Sequence, residues 1–144
     1  MAQRIVYACT ALEPNESCVQ TWLDADAQWT ANDPEQELLH TYYQALFDAQ
    51  TRNRREAQRG FAEVIDRADA LGLHAVEAGA LVESMLLLAE VGDWRATEEL
   101  RARAESLSRR LDRATQAQLH NAIGWSLLLA RCLLYTSPSP RDRG

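Results

Sequence analysis

The sequence predicts an all-α chain in which helix pairs repeat, and three observations predict it. Alanine is abundant, whereas glycine (6) and proline (4) are scarce in 144 residues, a composition that favours helix. Apolar residues recur at three- and four-residue spacings, and no run alternates apolar with polar between turn signals. Finally, equivalent positions recur about every 40 residues. Cys18, Ala57 and Thr97 are 39 and 40 apart, as are Ala25, Val64 and Ala104, while Leu39, Leu81 and Leu119 are 42 and 38 apart. A period of this size with two helices per unit marks an α-solenoid of antiparallel helix pairs, each burying its apolar face on its neighbours. About seven helices of roughly 11–19 residues, joined by short turns, would fill the chain.

The elements follow from their punctuation. Glu13-Pro14-Asn15 closes a first segment, with Asn15 the expected cap of the next helix. Trp22 and Ala25 mark the buried face there. Asp33-Pro34 is a helix start: the aspartate caps, and the proline sits where its missing N–H costs nothing. Leu39, Tyr43 and Leu46 form the stripe of that helix. Arg52-Asn53 is the next turn, followed by Phe61, Val64 and Ala68. Gly72 ends that helix in the left-handed conformation. Leu81, Met85 and Leu88 follow, then Gly92 as a stop and Asp93 as a cap. Leu100, Ala104 and Leu107 precede a junction at Leu111-Asp112, after which Leu119, Ile123 and Leu127 form the last stripe.

Composition excludes several kinds of chemistry. All fifteen cations are arginine, so no lysine Schiff base and no phosphate-loop lysine exists within the chain. With 47% hydrophobic and 25% charged residues, the chain is too apolar to be disordered and too interrupted by charge to span a membrane. Met1 to Thr10 hold one arginine and no long apolar run. No signal peptide is therefore expected, and a cytoplasmic location is.

Residues 132–142, Cys-Leu-Leu-Tyr-Thr-Ser-Pro-Ser-Pro-Arg-Asp, resemble the translation of a sequencing adapter of the transposase-end type. On that reading the natural sequence stops near Arg131, residues 132–144 form a disordered tail, and the C-terminal part of the protein is missing. The expected organisation is a repeat domain over 1–131, with units of about 1–37, 38–77, 78–116 and an incomplete 117–131.

No catalytic, cofactor or metal site is expected. His40, His74 and His120 lie at no metal-ligand spacing from one another or from cysteine, and read as ordinary helix-face residues, His74 at the surface. Cys9 and Cys18 do not make a disulfide framework, and Cys18 reads as a small buried hydrophobe. Arginines cluster twice. From Arg101 to Arg113 they are matched by acids at helical spacing: Glu98–Arg101, Glu99–Arg103 and Glu105–Arg109. Arg52, Arg54, Arg55 and Arg59 lack such matching and are the expected patch for an anionic partner. The net charge of −6 opposes nucleic-acid binding by this segment.

Residues 78–104 resemble a tetratricopeptide repeat: Leu81, Met85 and Leu88 in the first helix, Gly92-Asp93-Trp94 at the turn, Thr97 and Ala104 in the second. Asn121-Ala122-Ile123-Gly124-Trp125 resembles the first helix of the next unit, with Ile123-Gly124 at the Leu-Gly position. The longer unit is similar to the variant found in bacterial signalling proteins. The resemblance covers roughly 38–131 and more weakly 1–37. Cys18 and Thr97 depart from the usual alanine, and Gln50–Arg54 lacks the Gly-Asp pair. The resemblance implies structural roles for Trp22 and Trp94. It also implies a concave groove lined by first helices, here Tyr42, Leu46, Val82, Leu86, Asn121 and Trp125. The function it implies is a non-enzymatic protein- or peptide-binding module, with self-association a further expectation. Such a module would be the sensory part of a signalling protein whose output domain, a diguanylate cyclase or a helix-turn-helix regulator, is missing.

Overall fold

The computed structural model of the chain describes residues 16–30 and 32–136, with side chains over 17–28 and 32–132. Among the described residues every regular element is an α-helix. They are α1 (Glu16–Thr30), α2 (Pro34–Gln50), α3 (Arg54–Leu71), α4 (His74–Glu90), α5 (Trp94–Ser108) and α6 (Arg113–Thr136). Asn15, and with it the expected first cap, lies outside the described residues.

Four successive helices begin at residues 34, 54, 74 and 94, a constant step of 20. The turns before α3, α4 and α5 share one backbone pattern. The amides of Arg52, Gly72 and Gly92 donate to the carbonyls of Ala49, Asp69 and Ala89. Those of Asn53, Leu73 and Asp93 donate to Asp48, Ala68 and Leu88. This pairing satisfies carbonyls orphaned at a helix end, and it needs a left-handed residue. Gly72 (φ 70°) and Gly92 (φ 76°) supply it without steric cost; at the first turn Arg52 does so at φ 63°.

Caps fix the starts. Asp33 accepts from the amides of Glu35 (3.1 Å) and Gln36 (3.4 Å), with Pro34 in the first position. Asp93 accepts from Ala96 at 3.2 Å, and Asp112 from Thr115 at 2.7 Å. Those amide bonds hold the Asp112 carboxyl below the usual carboxylate range;.

The chain divides into two compact units, the first ending at Glu77 and the second beginning at Ala78. In the first, α1 packs on α2 and α2 on α3. Val19 and Leu23 of α1 are buried against Tyr43 and Phe47 of α2. The centre of α3 buries Ala57, Phe61, Val64, Ile65 and Ala68. A close approach fixes the α2–α3 contact: a Cβ added at Gly60 would lie 2.7 Å from the Ala45 Cβ. Arg67 reaches from α3 to Glu37 of α2 at 3.4 Å and to Glu63 on its own helix at 3.0 Å.

In the second unit α5 packs on α6. Thr97, Ala104, Leu107 and Ser108 of α5 are buried, as are Leu119, Ala122, Ile123 and Ser126 of α6. The hydroxyls of Thr97, Ser108 and Ser126 donate to carbonyls on their own side of the chain, Asp93, Glu105 and Ile123. Each buried hydroxyl is thereby satisfied within one turn.

Several expectations change. The buried face of α2 is Leu38 and Ala45, whereas Leu39, Tyr43 and Leu46 are only half-buried. Both stripes are apolar, and the Gly60–Ala45 approach decides which one turns inward. Trp22 is 40% exposed rather than a core residue, and Leu127 is 52% exposed. The last helix does not stop at Arg131 but runs to Thr136, over 24 residues.

Candidate interaction surfaces

The first cluster of arginines comes together at the α2–α3 turn. Arg52, Arg54, Arg55 and Arg59 are all exposed. Contrary to the sequence expectation, Arg59 does find an acid, Glu56, at 3.5 Å. Asn53 caps α3 by position, yet its side chain makes no capping hydrogen bond. Asp48, at the end of α2, has its carboxyl pushed up by burial and by the Glu56 charge, against a hydrogen bond from Gln44 that lowers it.

In the second cluster the expected Glu98–Arg101 pair forms, and Arg101 is its neutralised member; Arg109, Arg110 and Arg113 are exposed. Arg101 sits between Glu98 and Glu105 and bonds both. This bonding pushes the Arg101 pKa up and holds the Glu98 carboxyl down. Glu99 is met by Arg95 at 3.6 Å. Glu105 thus serves Arg101 in place of Arg109.

The six expected groove residues fall in both units: Tyr42 and Leu46 in the first, Val82, Leu86, Asn121 and Trp125 in the second. Tyr42 packs its ring on Phe61 (centroids 6.2 Å apart, 60° between planes) and on Tyr43 (5.7 Å). Leu46, Val82 and Leu86 are half-buried, and Asn121 is exposed. Trp125 is 54% exposed, beside Leu128 at 52% on the same face. Gly124 adjoins them with open space where a side chain would stand. Helix α6 contains no acidic residue, so this apolar face carries no negative charge of its own.

The histidines are less ordinary than the sequence suggests. His40 Nδ1 lies 3.1 Å from Asp26 Oδ2, a half-buried link between α2 and α1. His74 is not a simple surface residue. It opens α4 with a side chain 30% exposed, and its Nδ1 lies 3.8 Å from the buried carboxylate of Glu77. His120 is exposed. Sequence reading missed the His40–Asp26 pair because fourteen residues and a turn separate the partners. Glu83, on α4, has its carboxyl pushed up by burial.

Cys18 is half-buried and disulfide-bonded rather than a buried free thiol. Cys9 lies outside the described residues, and Cys132 is an exposed free thiol. Among the described residues no three His, Cys, Asp or Glu side chains gather into a metal-binding set. No described helix is long and apolar enough to cross a membrane. The chain matches no family model, no curated protein and no solved structure.

Proposed function

We propose that the chain is a non-enzymatic protein-interaction module, an α-solenoid of tetratricopeptide-like antiparallel helix pairs serving a larger bacterial signalling protein. The observation that carries this reading is the constant 20-residue step of the helix starts with one bonding pattern at three turns. Burial repeats at twice that step: Ala57 with Thr97, Val64 with Ala104, Ala68 with Ser108. Helix pairs stacked as a solenoid would offer an extended surface, which suits peptide segments. Within the second unit the anchors are Val82, Leu86, Asn121 and Trp125. An exposed tryptophan beside a polar amide has the character of an interface anchor.

A peptide-display selection against the folded chain tests the reading. Enriched peptides should lose binding on Trp125→Ala and on Leu86→Ala, and keep it on Trp22→Ala. Failure to enrich any peptide, or equal loss on all three, would remove the proposal. The cytoplasmic location belongs to the same reading, and the Cys18 disulfide opposes it, because such bonds persist mainly in oxidising compartments.

A further inference from the structure

We propose that the α2–α3 turn and the first turn of α3 form a docking surface for an acidic peptide segment of a partner protein. The inference does not rest on the repeat reading. It starts from four exposed arginines within eight residues, Arg52, Arg54, Arg55 and Arg59, on a chain whose net charge is −6.

The other turns show what this one forgoes. Where Gly72 and Gly92 take the left-handed conformation, Arg52 takes it here, although a side chain makes that conformation unfavourable. Where Asp33 and Asp93 cap their helices through a carboxylate, Asn53 leaves its side chain out of the cap. Where α2 opens with Glu35 and Glu37, α3 opens with Arg54 and Arg55 ahead of one acid, Glu56, two cations at the helix end that favours anions. Two of these choices place positive charge at one exposed corner, and all three weaken the fold there. Arg52 and Arg55 make no ion pair with any described residue, and Glu56 is the acid that reaches Arg59. Carboxylates arriving from outside would meet planar guanidinium groups able to bind them in paired hydrogen bonds.

A short acidic peptide fits better than nucleic acid. Asp48 and Glu56 border the patch, and Glu63, Asp66 and Asp69 continue along α3 beyond it. A duplex carrying a charge about every 1.7 Å would lay phosphates over those carboxylates. A peptide with a few glutamates or aspartates can end before Glu63, Asp66 and Asp69.

The test titrates the isotope-labelled chain with acetylated hexaglutamate, with hexalysine and with a short DNA duplex at low salt. Hexaglutamate should shift the amides from Arg52 to Glu56, and the double variant Arg54→Glu/Arg55→Glu should bind it about tenfold more weakly or worse. The same variant should melt no earlier than the parent, because its new acids suit the helix end. Lost binding would then not be lost folding. Arg95→Glu, an equally exposed arginine at the start of α5, should bind hexaglutamate like the parent. Absence of hexaglutamate binding, equal affinity in the double variant, shifts elsewhere in the chain, or tighter binding of the duplex at the same amides would each overturn the proposal.

Discussion

Helices α3 and α5 begin 40 residues apart and place equivalent residues in register, yet they are built to different standards. At one shared position α3 buries Phe61, while α5 carries Arg101, held between Glu98 and Glu105. At the neighbouring position α3 has Gly60 against Ala45, and α5 has the half-buried Leu100. Two of the four residues that α5 buries are hydroxyl-bearing, whereas all five in α3 are apolar. The backbone frame can therefore repeat without the packing repeating. Turn chemistry sets where each helix starts, and side-chain volume sets how strongly it is held.

The comparison can be broken most severely at Phe61. Phe61→Ala should cost about 3–5 kcal/mol, the range for deleting a fully buried aromatic, read as the shift in a denaturant midpoint. Gly60→Ala comes next. It forces two Cβ atoms together, at about 1–3 kcal/mol for overpacking, and the gain of about 1 kcal/mol from helix propensity offsets only part. Closer approach of α2 and α3 is the cause, so the companion change Ala45→Gly should recover some of the loss. Arg52→Gly should stabilise the chain by about 1 kcal/mol by relieving the left-handed arginine, measured by thermal melting.

A smaller effect concerns Asp112, whose folded-state pKa is depressed by the Thr115 amide. Its contribution is fully present above the unfolded carboxyl range and is lost as pH falls through the folded value. Asp112→Asn should flatten that part of the stability-versus-pH curve. The smallest effect is expected at Arg101→Ala. Despite two ion pairs, a half-buried arginine whose two carboxylate partners are exposed should leave the melting midpoint nearly where it was; a drop as large as that of Gly60→Ala would mean α5 depends on charge rather than packing.

Turns were the most legible part of the sequence. Asp33-Pro34, Gly72 and Gly92-Asp93 each carry a residue whose conformational or capping chemistry has few other uses. The turn at Arg52 was placed correctly, but its left-handed arginine was not foreseeable, because arginine has no preference for that conformation. Helix phase was less legible. Leu38 and Leu39 are equally apolar, and Leu38 lies on the same stripe as Ala45, which meets the facing Gly60 of α3. Of the candidate surfaces, the Arg52–Arg59 cluster could be read from its sparse acids, though Glu56 was overlooked. His40–Asp26 and the bonded state of Cys18 depend on contacts that local spacing does not encode.

The turn at Arg52 also matters to anyone handling the chain. Trypsin-like proteases cut after arginine in exposed, poorly covered turns. Arg52, Arg54 and Arg55 offer three such bonds at the α2–α3 corner and Arg109 and Arg110 two at the α5–α6 turn, whereas Leu71-Gly72-Leu73 and Val91-Gly92-Asp93 offer none. A brief digestion should therefore cut at these two corners, the cut between α2 and α3 dividing the 16.2 kDa chain into pieces of about 6 and 10 kDa;.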